Sequence, residues 1–139
     1  MQGTLRTFSE KVRDTVKDQI RRIAENTAIA MGCTAEVEIT DIYPPTVNPK
    51  TEAGHVERIA KRYFGEDMVN DNDIPVTGSE DFSYFLLEKP GCFYFLGTAQ
   101  EGKRFIPHTS NFDYNDSMIA SGAYLFLRIV EDRLECKLL

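Results

Sequence analysis

The sequence is poor in the residue types that most often build metal sites and nucleophilic sites. Among 139 residues there are two histidines, three cysteines and no tryptophan. With only His55 and His108, the chain cannot supply three imidazoles to one metal ion. Cys33, Cys92 and Cys136 are an odd number without a C-x-x-C pair, so we expect reduced thiols rather than a disulfide framework. Cys92 opens an apolar run, which favours a core position over a nucleophile.

Basic charge and long apolar runs are also scarce. There are 16 Lys and Arg side chains against 22 Asp and Glu, which leaves a formal net charge of −6. Nucleic-acid binding needs a basic face, so we expect no nucleic-acid partner. No apolar run approaches the roughly 20 residues of a membrane span, and the N-terminal residues lack the apolar core of a signal peptide. These absences predict a soluble, cytoplasmic protein with no membrane contact.

A β-α-β pattern occupies residues 1–43. Residues 3–8 form a short β-like run, and residues 35–40 alternate apolar and polar side chains as a half-buried strand does. Between them, apolar residues recur at spacings of three and four, which predicts one face of a long helix. The members of this stripe are Val12, Val16, Ile20, Ile23, Thr27 and Met31.

Both ends of this helix carry recognisable signals. Thr7 with Glu10 fits a capping box, and Ser9 is a rival N-cap. Gly32 lies where a left-handed glycine would end the helix.

The remainder of the chain predicts an α/β segment. The proline-rich stretch 43–49 cannot continue a helix or a central strand, so we place the domain boundary after residue 47. The continuous apolar run 92–97, bounded by glycines, suits a strand that is covered on both faces. Helical patterns lie on either side of this run, at residues 53–64 and after Asp116. The predicted fold class is therefore α/β.

Three places could carry chemistry, and each has a structural alternative. His108 lies in a polar loop after the predicted strand, where it is either a metal ligand or a surface histidine. Gly78, Ser79 and Glu80 precede a short helix; they either face a ligand with backbone N–H groups or place a carboxylate at a helix start. Arg6 is either an exposed edge residue or a fork for a substrate carboxylate. For His55, which lies within a helix, we favour a structural role.

Four segments, in this order, resemble parts of one known family. They are residues 3–8 (GTLRTF), 78–85 (GSEDFSYF), 90–97 (PGCFYFLG) and 108–116 (HTSNFDYND). Together they resemble the C-terminal part of the metal-dependent amidohydrolases that include aminoacylases, hippurate hydrolases and auxin-conjugate hydrolases.

The resemblance implies a fold and a function. Residues 1–47 would be the βαβ half of a ferredoxin-like lid or dimerisation domain, and residues 48–139 the C-terminal segment of a zinc-peptidase-like catalytic domain. Family members hydrolyse N-acyl amino acids with two bridged divalent metal ions, such as zinc or manganese, that activate a water.

The resemblance also implies roles for individual residues. His108 matches the late histidine that reaches one metal ion. Arg6 matches a lid arginine that holds the substrate carboxylate. Gly78, Ser79 and Glu80 match a segment that lines the substrate pocket.

The other metal ligands and the general base of the family come from segments that precede the lid, and no motif in these 139 residues replaces them. We therefore expect no catalytic residue here, weak metal binding, and no hydrolysis by this chain alone, which would act as a fragment. Half a lid would expose a sheet edge, which predicts a homodimer. Two alternatives stay open: a homodimerising or partner-binding module derived from the family, and a hydrolase completed by a separate chain.

Overall fold

The structure is a computed structural model that describes residues 1–72, 74–100, 102 and 106–138. Within these residues it has four α-helices and two short 3-10 helices. The α-helices are α1 (Glu10–Ala30), α2 (Lys50–Phe64), α3 (Phe82–Glu88) and α4 (Ile119–Leu134), and the 3-10 helices are Glu66–Met68 and Asp116–Met118. None of the described helices is both long and apolar enough to cross a membrane.

No strand forms in the part of the chain that the structure describes. The segments 3–8, 35–40 and 92–97 carry no ladder, and Gln100 has only an isolated bridge. The predicted α/β fold class, with its βαβ half of a ferredoxin-like lid, is therefore wrong. Alternation shows which side chains can share a face, but a strand also needs a neighbouring strand to pair with its backbone N–H and C=O groups. No such neighbour lies beside these segments among the described residues.

The ends of α1 follow local signals in the sequence. Ser9 is the N-cap, and its hydroxyl accepts a 3.5 Å hydrogen bond from the backbone N–H of Val12. Thr7 instead donates its hydroxyl to the Ser9 carbonyl at 3.1 Å, so Ser9 rather than Thr7 caps the helix. After the helix, Gly32 adopts φ 71°, a left-handed conformation that glycine tolerates without a Cβ clash.

The chain divides into two compact units, each built from two separate stretches. The first unit comprises Met1–Pro49 and Asn72–Gly91, and the second comprises Lys50–Asp71 and Cys92–Leu139. Helices α1 and α3 therefore lie in the first unit, and α2 and α4 lie in the second.

The apolar core of the second unit lies where α2 meets α4. Ile59 is fully buried, and Leu125 and Ala60 are 5% and 8% exposed. Burial of a large aliphatic side chain contributes about 1.5–3 kcal/mol, so this contact is the main apolar stabilisation of the unit. Partly buried side chains that pack around it are Phe64, Val69, Tyr94 and Ile129.

In the first unit, α1 leaves its apolar stripe largely exposed. None of the 21 residues of this helix is buried, and Ile23 is 57% exposed. The helix is held to the following segment by charge: Lys17 Nζ lies 2.7 Å from Asp41 Oδ2, and Arg13 Nη1 donates to the Tyr43 carbonyl at 3.2 Å. The periodicity predicted the helix correctly, but its apolar face is not buried in a core among the described residues of this unit.

Candidate functional site

The segment Gly78–Glu80, here called the Gly78 loop, leads directly into α3. Gly78 and Ser79 are exposed and Glu80 is half-buried. The Glu80 carbonyl accepts two hydrogen bonds from Ser83, at 2.6 Å from its hydroxyl and 3.4 Å from its backbone N–H. The end of the loop is therefore tied to the first turn of α3, as a segment of defined shape.

Helix α3 is itself anchored within the first unit. The Tyr84 hydroxyl donates to the Ile42 carbonyl, and the Tyr84 ring meets the Tyr43 ring edge-on with centroids 5.9 Å apart. Gly91 lies so close beneath the helix that a Cβ there would be 3.4 Å from the side chain of Phe82. These contacts hold a helix of only seven residues that is too short to be stable in isolation.

Arg6 lies in the same unit and presents its guanidinium at the surface. The side chain is exposed, and Nη1 donates to the Thr4 hydroxyl at 2.8 Å. Among the described residues, Arg6 has no carboxylate partner within ion-pair distance. A guanidinium bound to a neutral hydroxyl keeps donors available for a planar anion such as a carboxylate.

A shallow cavity of about 220 Å³ lies between the segments that follow these two candidate sites. Its walls include Phe8, two residues after Arg6, and Ser83, three residues after Glu80. The other lining residues are Ser9, Glu10, Pro44, Pro45, Val47, Leu86 and Leu87. The first unit thus brings the neighbours of Arg6 and of the Gly78 loop to one surface feature.

His108 lies in the second unit, in a turn with an uncommon backbone conformation. Its side chain is exposed and its φ is 66°, a left-handed value that histidine adopts more readily than bulky residues. The turn is closed locally, since the Thr109 hydroxyl donates to the Ile106 carbonyl at 2.7 Å. At the base of the loop, Asn115 Nδ2 donates to the Thr98 carbonyl at 3.3 Å. The imidazole is therefore accessible to a ligand.

The described residues do not by themselves fit a metal centre. They contain no group of three or more His, Cys, Asp or Glu side chains that could hold a metal ion, whereas a zinc site takes at least three protein ligands. His108 alone offers one imidazole, so no chemical step is assigned to a metal ion on this chain.

A polar cluster between α2 and α4 is the feature that sequence reasoning missed. Arg58 donates to both carboxylate oxygens of Asp132, at 2.8 and 3.3 Å, and His55 Nε2 lies 3.6 Å from Asp132 Oδ2. The hydrogen bond from Arg58 holds the pKa of Asp132 below its ordinary value. The sequence signal for this cluster was the three-residue spacing of His55 and Arg58, which places both side chains on one helix face. No sequence pattern indicated that Asp132, 74 residues after Arg58, would be their partner.

Cys92 is half-buried in the second unit, in keeping with a packing role. Burial, followed by the charge of Glu52, raises the pKa of its thiol. A raised pKa keeps the thiol protonated at neutral pH and so makes it a weak nucleophile.

Comparison with known proteins places the chain in a family. The model of peptidase family M20/M25/M40 matches residues 4–132. Thermostable carboxypeptidase 1 of Saccharolobus solfataricus is 39% identical over 126 residues, which are 88% of this chain and 31% of the relative. A Bacillus subtilis protein provisionally named an amidohydrolase is 32% identical over 123 residues, 87% of this chain and 31% of the relative. An uncharacterized hydrolase of Staphylococcus saprophyticus is 31% identical over 137 residues, 97% and 35% of the two chains.

The chain spans about a third of the length of these curated relatives. No solved structure matches it significantly. The family match covers nearly the whole chain and confirms the resemblance to metal-dependent amidohydrolases. The protein therefore belongs to peptidase family M20/M25/M40, a family of hydrolases that generally depend on metal ions.

Proposed function

We propose that this chain is the C-terminal, substrate-binding part of a metal-dependent hydrolase that cleaves the amide bond of N-acyl amino acids. The observation that carries this proposal is the family match over residues 4–132, which includes both Arg6 and His108. The relatives named as a carboxypeptidase and as an amidohydrolase support amide hydrolysis. An N-acyl amino acid, like the substrate of a carboxypeptidase, has a free carboxylate next to the amide bond that is cleaved.

In this proposal Arg6 binds the substrate carboxylate. Its exposed guanidinium contacts a neutral hydroxyl, so binding a carboxylate would not require breaking an ion pair within the described residues. A bidentate contact of this kind fixes the orientation of the substrate as well as its affinity.

The Gly78 loop supplies the second part of the proposed pocket. Gly78 and Ser79 are exposed, while the end of the loop is tied to Ser83. Exposed backbone N–H groups on a fixed frame suit the recognition of a polar substrate group such as an amide carbonyl.

His108 is proposed as one metal ligand, with zinc or manganese as the metal. Its exposed imidazole can bind a metal ion in the neutral form. Because the described residues provide no complete ligand set, we propose that the chain has no catalytic activity by itself. The residues that complete the site would be supplied by the part of the relatives that this chain does not match.

The first experiment is a hydrolysis assay with N-acetyl and N-benzoyl amino acids in the presence of zinc, manganese or cobalt. We expect no turnover by the chain alone. Addition of the separately expressed remaining part of a relative is expected to restore turnover, and His108→Ala is expected to abolish it. His55→Gln is the matched control, since it removes the other histidine and leaves His108 in place.

Three results would contradict parts of this proposal. Turnover by the chain alone would contradict its dependence on a second part. Restored turnover that survives His108→Ala would remove the assignment of His108 as a ligand. An Arg6→Ala variant that retains the KM of the complemented enzyme would remove Arg6 from the pocket.

A homodimerising module is the second candidate, because α1 exposes its apolar stripe. A helix with one apolar face normally packs that face against another element, and members of the family are often dimeric. In this candidate a second copy covers the stripe, and no substrate is bound.

A further inference from the structure

Ser83 is buried although its side chain is polar. Ser83 is 1% exposed. Among the described residues, the only larger side chain that is buried to this extent is Ile59. Burial of a hydroxyl without a partner is costly. The Ser83 hydroxyl has such a partner, since it donates a 2.6 Å hydrogen bond to the Glu80 carbonyl.

This hydrogen bond fixes a peptide group at the end of the Gly78 loop. The Glu80 carbonyl and the Asp81 N–H belong to one planar peptide unit, in which they point in opposite directions. The Glu80 carbonyl is held toward Ser83 by two hydrogen bonds. The Asp81 N–H is therefore directed away from Ser83.

Ser83 can act as a fixed point because α3 is anchored on both sides. Tyr84 donates to the Ile42 carbonyl, and Phe82 packs against the backbone at Gly91. The side chain of Asp81, by contrast, makes no capping hydrogen bond at the start of the helix. The hydrogen bonds that Ser83 donates to the Glu80 carbonyl therefore help to define how the loop enters the helix.

We propose that Ser83 is a positioning residue for the Gly78 loop. Its buried hydroxyl sets the direction of the peptide group between Glu80 and Asp81, which ends the loop. The proposal rests on the proposed function, which assigns the Gly78 loop to the substrate pocket. Ser83 itself does not touch the substrate.

The test is an NMR comparison of the ¹⁵N-labelled chain with its Ser83→Ala and Ser83→Thr variants. Residual dipolar couplings report the direction of the Asp81 N–H vector, and relaxation reports its order. In Ser83→Ala we expect the coupling of Asp81 to change and its order parameter to fall from ~0.85 to below about 0.6, while Leu86 in α3 keeps both values. Ser83→Thr retains the hydroxyl and is expected to restore the coupling. Ser121→Ala, a half-buried serine of the second unit, is the control.

An unchanged Asp81 coupling in Ser83→Ala would overturn the proposal. Loss of order in Asp81 and Leu86 together would also overturn it, since Ser83 would then only stabilise the helix. If the threonine variant fails to fold, Ser83→Cys replaces it: its weaker donor should give an Asp81 order parameter between those of the wild type and the alanine variant.

A second readout separates this proposal from the proposed function. In the complemented enzyme, Ser83→Ala should raise KM about tenfold, which corresponds to 1.4 kcal/mol, with kcat unchanged. If the Asp81 coupling changes in Ser83→Ala but adding the remaining part of a relative never restores turnover, the positioning role of Ser83 would stand. The same result would count against the proposed function. An equal loss in kcat and kcat/KM would overturn the positioning role.

Discussion

Asp132 links α4 to α2 through Arg58, with His55 close by. Arg58 binds both of its carboxylate oxygens, and His55 Nε2 lies within 3.6 Å. Because the carboxylate is partly exposed to solvent, salt should weaken its interaction with Arg58. The contact therefore contributes a pH- and salt-dependent part of the stability of the second unit.

We expect Asp132→Asn to lower the thermal midpoint of unfolding at pH 7 and low ionic strength. Arg58 holds the pKa of Asp132 below its ordinary value of 3.8, so the folded state binds this proton less readily than the unfolded state. The stabilisation is therefore present above that value and is lost as the pH falls through the lowered pKa. The difference in thermal midpoint between wild type and Asp132→Asn should therefore disappear at pH values below the lowered pKa of Asp132.

Thermal scans at neutral pH and in strong acid, well below pH 3.8, each at low and high salt, measure this difference. Asp67→Asn replaces an exposed carboxylate of the same unit and should have little effect at any pH. A difference between Asp132→Asn and wild type that persists unchanged into strong acid would show that the carboxylate charge is not its cause.

Ile59 is the residue whose truncation should cost most in the second unit. It is fully buried in the contact between α2 and α4, and Ile59→Ala would leave a cavity there. The expected loss is about 2–5 kcal/mol in the free energy of unfolding, measured by urea denaturation. Ile119→Ala, at a position that is 69% exposed, should change it by less than about 0.5 kcal/mol. Equal effects of the two variants would contradict this assignment of the core.

Among the secondary-structure elements, the glycine inside α2 and the glycine after α1 differ in whether their backbone conformation allows a Cβ. Gly54 lies inside α2, and a Cβ there would meet nothing within 4 Å. Gly32 also has open space around it, but its φ of 71° is strained for any residue with a Cβ. The same substitution should therefore have opposite signs at the two positions.

We expect Gly54→Ala to stabilise the chain by about 0.5–1 kcal/mol, because alanine loses less backbone entropy in a helix. Gly32→Ala should destabilise it by about 1–2 kcal/mol, the cost of a left-handed conformation with a Cβ. Chemical denaturation of the two variants beside wild type gives both values. Stabilisation by Gly32→Ala would mean that the end of α1 is not left-handed in solution.

At the scale of the whole molecule, much apolar surface is left uncovered. The stripe on α1 includes Val12, Ile20 and Ile23, all at least 40% exposed. Exposed apolar stripes on helices commonly mark protein interfaces. A second copy of the chain or the remaining part of a family member could cover this surface, and the oligomeric state distinguishes the two.

If a second copy covers the stripe, sedimentation at micromolar concentration should show a dimer for the wild type. Ile23→Lys should then shift the equilibrium to monomer, because it places a charge on the stripe while keeping good helix propensity. Glu25→Gln, which makes the same change in net charge two residues away and so on the other side of the helix, should remain dimeric. A wild-type monomer would contradict the dimer and leave the stripe for a partner of different sequence.

The helices could be predicted because their signals are local. The spacing of apolar residues, the hydroxyl of Ser9 and the glycine at position 32 all act within a few residues of the element they define. The strands could not be predicted in the same way, since a ladder depends on a second segment and no such segment lies beside residues 35–40 or 92–97 in the described chain. The domain boundary after residue 47 and the roles of Arg6, the Gly78 loop and His108 stay predictions.

The sequence by itself determined the family and the positions of the helices, because both depend on the order and spacing of residues along the chain. The tertiary structure decided which distant residues meet. It placed Asp132 between Arg58 and His55, and it buried Ser83 in the first unit, where Phe8 and Pro44 line the same cavity. It also left α1 without a core of its own. These outcomes depend on contacts between segments that lie far apart in sequence, and no local pattern specifies such contacts.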